Sequence, residues 1–182
     1  GTKYNHNAQL RYIGKNLFLN TDMELSGYLQ DFYTVYGYTP YFEGGGQSTI
    51  KSRKMGARLN LNTPFRINNS LEGSVVYGAD YLKDVTSQPL VDGRTWVPEM
   101  NLNNLAPYAQ LQLNILQDLN FKAGYRFDNV SVTVDDFQQL VLASGAGGDY
   151  VQGGTLKFNA STFNAGLRYS GLEYFKPFVS YS

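Results

Sequence analysis

Apolar and polar residues alternate through residues 106–129, with one break at Gln117-Asp118. Before the break, the apolar positions Ala109, Leu111 and Leu113 alternate with glutamine and asparagine. After the break, the odd positions are uncharged and include all the aromatic residues, and the even positions include all the charged residues. The odd positions are Leu119, Phe121, Ala123, Tyr125 and Phe127, and the even positions are Asn120, Lys122, Gly124, Arg126 and Asp128. Because successive side chains of a strand point to opposite faces, the pattern predicts two strands, each with one uncharged face and one polar face.

The same period of two recurs along the chain and predicts eight strands. One exception to the pattern is that Lys51 and Arg53 fall on the apolar side of the third predicted strand, near its start. The predicted strands cover approximately residues 4–13, 17–35, 49–61 and 70–83, two strands within 106–129, residues 157–169, and a last strand that starts near Tyr174.

The predicted connections alternate between short and long. Short connections are expected at 14–16, 62–69, 116–118 and 170–173, and long ones at 36–48, 84–104 and 136–155. In an antiparallel meander, this alternation places all short turns at one rim and all long loops at the other.

A rim asymmetry of this kind is typical of transmembrane β-barrels, whose strands also alternate apolar-out and polar-in. No run of 18 apolar residues predicts a membrane-spanning helix. Lipid cannot hydrogen-bond a backbone, so only helices and closed sheets cross a bilayer. The sequence therefore predicts an all-β, antiparallel up-and-down meander of about eight strands that belongs to a transmembrane β-barrel. A soluble β-sandwich binding module, in which the apolar faces meet each other, is an alternative.

In the barrel interpretation, the uncharged face of residues 119–127 contacts lipid acyl chains. Tyr125 and Phe127 are expected at the outer membrane interface, where aromatic rings concentrate. Lys122, Arg126 and Asp128 are expected to face an aqueous or plugged lumen. Their confinement to one face fits the cost of about 2–4 kcal/mol for a charge at the middle of the lipid face.

Composition argues against catalytic and nucleic-acid-binding functions. Lys+Arg and Asp+Glu both number 15, so no net charge favours nucleic acid. The chain has no Cys and a single histidine, His6, so we expect neither a metal site nor a cofactor. No Ser/His/Asp arrangement or cofactor motif occurs, and the sequence predicts a protein that is not an enzyme.

Candidate ligand contacts lie in the predicted long connections. Arg94 is suited to pair with anionic chelate groups, and Trp96 is suited to stack on them. Tyr38 and Tyr41, in an aromatic cluster with Tyr36 and Phe42, form a second candidate contact surface. The alternative for Arg94 and Trp96 is a loop anchored at the interface by the tryptophan, and for the tyrosines an aromatic girdle.

Several segments resemble TonB-dependent outer-membrane receptors, in particular ferric-siderophore receptors including the aerobactin type. The resemblance is clear over residues 70–182, and residues 1–69 agree with it in strand pattern alone. It is carried by "VVYGADYLKDVT" at 75–86, "APYAQLQLNI" at 106–115, "VSVTVDDFQQL" at 130–140 and "GGTLKFNASTFNAGLRYSGLEYFKPFVSYS" at 153–182.

The resemblance implies that residues 1–182 are a partial barrel domain, without the plug domain, of a barrel with about 22 strands. It also implies location in the outer membrane of a Gram-negative bacterium, contact with outer-membrane lipid, and import of a ferric siderophore or similar nutrient with energy from the TonB complex through the plug. The open strand edges of such a segment favour self-association. A small eight-stranded structural or adhesive barrel is a further alternative.

Overall fold

The computed structural model describes residues 3–116 and 118–182 and shows an all-β chain. Eight strands form one antiparallel sheet in the order β1-β2-β3-β4-β5-β6-β9-β10, and β7 and β8 form a separate small hairpin. The predicted up-and-down meander of eight strands is therefore confirmed. The strands are β1 (Tyr4–Gly14), β2 (Asp22–Thr39), β3 (Gly46–Asn68), β4 (Leu71–Pro89), β5 (Thr95–Ile115), β6 (Leu119–Val134), β7 (Phe137–Gln138), β8 (Tyr150–Val151), β9 (Gly154–Tyr169) and β10 (Phe178–Tyr181).

Several strands are longer than predicted, and the connections between them are shorter. β3 and β5 contain 23 and 21 residues. The predictions of a connection at 62–69 and of a long loop at 84–104 are therefore largely wrong: a turn at Asn69-Ser70 and a loop at 90–94 join the strands instead. Of the predicted connection at 116–118, Gln117 lies outside the described residues.

Two strand boundaries also differ from the prediction. β2 begins at Asp22 rather than near residue 17, because Asn16, Leu19 and Asn20 have positive φ angles of 51°, 51° and 56°. This conformation is incompatible with an extended strand, and the preceding residues form a turn with a short 3₁₀ segment at Phe18–Asn20. The last strand begins at Phe178 rather than near Tyr174.

One face of the sheet carries a continuous band without charged side chains, here called the apolar belt. Alternate residues of Leu71–Tyr81, Leu105–Ile115 and Leu119–Phe127 form its centre, side by side in register. A strand of roughly 11 residues is about 36 Å long. When it is tilted by about 45° from the barrel axis, it spans a height of about 25 Å along that axis. We call this side of the sheet the belt face and the other side the polar face.

Beyond the apolar belt, towards the loops at 40–45 and 90–94, the alternation continues with the two faces exchanged. On β6, Asn129 and Ser131 follow Phe127 on the belt face, while Val130 and Val132 take up the polar face. The strands therefore project beyond the belt at this rim, whereas the belt reaches the turns at the opposite rim. The predicted asymmetry between the rims is present as strand projection, and the long connection predicted at 136–155 is also found at this rim, with the β7–β8 hairpin within it.

The face exchange also explains the position of the two cations that broke the sequence pattern. Lys51 and Arg53 lie on the belt face but outside the apolar belt, which on β3 begins at Met55. Their charges therefore lie at the edge of the uncharged band rather than within it.

Nothing in the described part of the chain forms a second layer over the apolar belt. Tyr125 and Leu105 on the belt are each 51% exposed. The buried apolar residues of the described segments are Phe42, Leu90 and Ala106, which are too few for the core of a soluble sandwich. A single open sheet with an exposed apolar band contradicts the β-sandwich alternative.

The described strands also form an open sheet rather than a closed small barrel. β1 and β10 stand at the two ends of the strand order, and the pairing found for each is with one neighbour. In the described residues, no helix has the length and apolar character needed to cross a membrane.

Candidate functional site

Three connections meet at the rim where the strands project beyond the apolar belt. They are loop 40–45, loop 90–94 and segment 139–147. We call these three segments together the rim cluster. The backbone N–H of Glu43 donates a hydrogen bond to the carbonyl oxygen of Val141 over 2.9 Å. Hydrogen bonds of this kind join connections that are far apart in sequence into one structural unit.

Phe42 forms the apolar centre of the rim cluster. Its side chain is 1% exposed. Leu90 of loop 90–94 is also buried, with 2% of its surface exposed. The Phe42 ring packs edge-to-face on Trp96 and on Tyr41, with centroid distances of 5.2 and 5.4 Å. Its backbone also forms an isolated bridge with Leu142. Phe42 therefore links its loop to β5 through its ring and to segment 139–147 through its backbone.

Arg94 provides the polar connection between two of these loops. Its Nη1 donates to the carbonyl oxygen of Glu43 over 2.7 Å, and its Nη2 donates to that of Gly45. Its Nε donates to Asp92 over 2.9 Å. The side-chain and backbone hydrogen bonds from Arg94 hold the pKa of the Asp92 carboxyl below its usual range. The guanidinium is thus engaged within the protein and orients the loops.

The four ligand contacts predicted from sequence all lie at this rim. Arg94 is in loop 90–94 and Tyr41 in loop 40–45, but Tyr38 and Trp96 belong to β2 and β5 rather than to loops. Because the apolar residues change faces beyond the belt, the sequence pattern ended these strands too early. The side chains of Tyr38, Tyr41 and Trp96 are 69%, 53% and 39% exposed. The rim thus presents three accessible aromatic rings, and two of them, Tyr41 and Trp96, pack on the buried Phe42 ring.

The β7–β8 hairpin extends the same rim. Asp136, part of the Asp135-Asp136 pair in the sequence, accepts hydrogen bonds from the Tyr150 hydroxyl and from the Gly153 backbone N–H. The first of these bonds has the larger effect, and both lower the pKa of the Asp136 carboxyl. Asp136 therefore closes the hairpin and is not part of an acid–base pair.

On the polar face at the level of the apolar belt, charged side chains form a connected network. Asp80 accepts from Arg58 Nε over 2.6 Å and from Arg126 Nη1 over 2.7 Å. Arg126 Nε also donates to Asp128 over 2.9 Å. Ala106, opposite Asp80 on β5, is fully buried, and its small side chain leaves room for Arg126 to cross that strand.

Sequence reasoning placed Arg126 and Asp128 on this face but did not connect them to Asp80. The connection depends on the register that places Tyr108 opposite Arg126 and Ala106 opposite Asp80. Alternation alone does not specify which residues of neighbouring strands stand opposite each other.

Replacing Asp80 by alanine is expected to destabilise the barrel wall by about 2 kcal/mol, because two arginines lose charge-assisted hydrogen bonds on a partly buried face. The measurement is the guanidinium unfolding midpoint of the full-length receptor in lipid vesicles. Glu72→Ala is the matched control, since Glu72 is 48% exposed and its partner Arg66 is 68% exposed. Exposed pairs contribute less than about 1 kcal/mol, so an equal loss in both variants would contradict the network.

The combination of an open antiparallel meander, an uncharged band about 25 Å high and an ion-paired opposite face defines a class of protein. It is the wall of a transmembrane β-barrel, with the belt face towards lipid and the polar face towards the lumen. The chain belongs to the TonB-dependent receptor family: the family described as "TonB dependent receptor-like, beta-barrel" matches residues 1–182.

Family membership confirms the resemblance found in the sequence and places the chain in the outer membrane of a Gram-negative bacterium. It also agrees with the expectation that the chain is not an enzyme, because the family consists of transporters. With the strand order, it argues against the alternative of a small structural barrel.

A solved structure with a similar fold is the ferric-catecholate import receptor Fiu from E. coli K12, in its open form. The TM-score is 0.69 and the sequence identity is 15%. The alignment covers 97% of this chain and 35% of the Fiu chain. At this identity the likeness concerns the fold, and the chain spans about a third of that receptor.

Proposed function

We propose that this chain is part of an outer-membrane receptor that imports a ferric siderophore. Energy comes from the TonB complex and acts through a plug domain in the remainder of the parent protein, as the resemblance to such receptors implies. The observation that carries the proposal is that the exposed rings of Tyr38, Tyr41 and Trp96 lie at and beside the rim cluster, on the rim expected to face the outside.

The rim cluster is suited to capture a ligand of large flat groups. Tyr38, Tyr41 and Trp96 offer accessible ring faces, and aromatic contacts contribute about 0.5–1.5 kcal/mol each. Tyr41 and Trp96 are held by packing on Phe42, and Tyr38 is held in β2. In this proposal, Arg94 is a positioning residue and the three aromatic residues touch the ligand. Fiu is a ferric-catecholate import receptor, and a catecholate is an aromatic ligand.

The proposal is tested with the full-length receptor and a panel of catecholate, hydroxamate and citrate-based ferric siderophores. Binding is measured by isothermal titration calorimetry, and uptake of radioactive iron is measured in cells with and without TonB. We expect Trp96→Ala and Tyr38→Ala each to weaken binding by roughly ten-fold. Uptake is expected to disappear in cells without TonB.

Tyr174→Ala is the matched control, because Tyr174 is 93% exposed but lies in the connection at the opposite rim. It should bind the ligand as the wild type does. If no ferric siderophore binds while another nutrient does, the substrate class is wrong. If uptake continues without TonB, the proposed transport mechanism is wrong.

A further inference from the structure

The belt face carries a cluster of cations immediately outside the apolar belt, on the side of the rim cluster. Lys51 and Arg53 follow Met55 outward along β3, and Lys83 stands opposite Met55 on β4. Arg53 and Lys83 are thus diagonal neighbours, a pairing in which residues are about 7–8 Å apart. All three side chains project from the same face of the sheet and line one open groove.

Nearby carboxylates compensate only part of the positive charge of these three side chains. Asp31, opposite Arg53 on β2, forms a long ion pair with it at 3.4 Å. Glu99 lines the same open groove on the belt face. In the described parts of the chain, neither Lys51 nor Lys83 forms an ion pair within 4.0 Å. The groove therefore holds three cations against two carboxylates.

Aromatic rings adjoin the cations on the same face. Tyr33 stands opposite Lys51 on β2, and its ring stacks on that of Tyr4 at a centroid distance of 5.5 Å. The Tyr4 ring in turn stacks on His6 at 4.9 Å. Flat rings beside cations are suited to a headgroup that combines sugar and phosphate.

The height of the cluster identifies its occupant. The apolar belt extends to Met55 on β3 and to Tyr81 on β4, and Arg53 and Lys83 are the next belt-face residues of these two strands. This is the depth at which lipid headgroups begin, and long cationic side chains are favourable there. Phosphate oxygens are good acceptors for Lys and Arg donors.

We propose that Lys51, Arg53 and Lys83 bind the phosphorylated sugar headgroup of a lipid of the outer leaflet. The bound lipid would fix the height of β3 and β4 in the membrane. This site is on the lipid side of the wall and is separate from the rim cluster, so the proposal does not rest on the transported substrate.

The test uses the full-length receptor purified in detergent and bisphosphorylated lipid A as the probe, with bound lipid quantified by native mass spectrometry. We expect the triple variant Lys51→Gln/Arg53→Gln/Lys83→Gln to retain at most about one fifth of the wild-type lipid. Wild-type levels of lipid on this variant would overturn the proposal. Electrophoretic heat modifiability confirms that each variant is folded.

The chain offers a matched control for single charges. Lys157 lies on the belt face in register with Lys83, through the pairs Lys83–Asn103–Ser131–Lys157, but without neighbouring cations. Lys83→Gln is expected to reduce bound lipid two- to three-fold, and Lys157→Gln is expected to leave it unchanged. Equal losses of bound lipid in the two variants would show a general effect of charge and would contradict a specific site at Lys51, Arg53 and Lys83.

Two further ligands distinguish binding of a lipid headgroup phosphate from binding of free phosphate. Dephosphorylated lipid A should bind the wild type no better than it binds the triple variant, because the acyl chains and sugars alone do not use the cations. Inorganic phosphate at about 10 mM should not displace lipid A. Equal binding of dephosphorylated and phosphorylated lipid, or full displacement by free phosphate, would each contradict a lipid headgroup site.

Discussion

Phe42→Ala is expected to open the rim cluster and to leave the barrel wall intact. The Phe42 side chain is 1% exposed and touches both Trp96 and Tyr41. Removing a buried aromatic ring costs about 3–5 kcal/mol where the site does not collapse. Because this cost applies to one local unit, the free energy of local opening falls rather than that of global unfolding.

Hydrogen exchange of the full-length receptor measures this effect at individual amides. The amides of Glu43 and Ala143, which donate across the cluster, should lose roughly 100-fold or more in protection, as expected for about 3 kcal/mol. Amides of the apolar belt should be unchanged. Tyr41→Ala removes an exposed ring beside Phe42 and is the matched control, with little loss expected. Unchanged protection in Phe42→Ala would show that Phe42 does not hold the connections together.

Leu111→Lys is expected to destabilise the folded receptor in a bilayer by about 2–4 kcal/mol. Leu111 lies in the middle of the belt segment Leu105–Ile115, so the introduced ammonium would stand among acyl chains far from either interface. A Lys near the midplane of the lipid face has a cost of this size. The measurement is the equilibrium between the folded state in vesicles and the unfolded state in guanidinium.

Gln112→Lys is the control for Leu111→Lys, because Gln112 is the next residue of β5 and points to the polar face. The same charge on the lumen side is expected to change stability by less than about 1 kcal/mol. A comparable cost for both variants would mean that β5 does not separate two different media.

Alternation in the sequence was sufficient to predict the number of sheet strands, their antiparallel order and the two media that they separate. Tyr125 and Arg126 illustrate the reason, since adjacent residues of such opposite character are compatible with a strand that has lipid on one side and polar surroundings on the other. The same reasoning placed Tyr38, Tyr41, Arg94 and Trp96 at one rim, where the structure brings them together.

Strand lengths and specific contacts were not predictable from alternation. At Asn129 and Val130 the apolar residues change from one face of the sheet to the other, although β6 continues without a break. In the sequence, such a change interrupts the alternation and therefore looks like the end of a strand. The hydrogen bonds of Arg94 to two backbone carbonyls depend on how loops fold, and backbone groups leave no signal in the sequence. The meeting of Arg58 and Arg126 at Asp80 depends on strand register, which the side-chain pattern leaves open.

The central claim is that the belt face of residues 105–115 contacts acyl chains while the polar face does not. Residues 1–182 contain no cysteine, so once any cysteines elsewhere in the full-length receptor are replaced by serine, single cysteines at successive positions of β5 each carry a spin label. Collision rates with oxygen and with a polar nickel chelate are then measured in a bilayer. We predict high oxygen and low nickel access at 105, 107, 109, 111, 113 and 115, the reverse at the even positions, and high nickel access on the belt face at 101 and 103. Loss of the alternation, or odd positions shielded from both reagents, would contradict the membrane assignment.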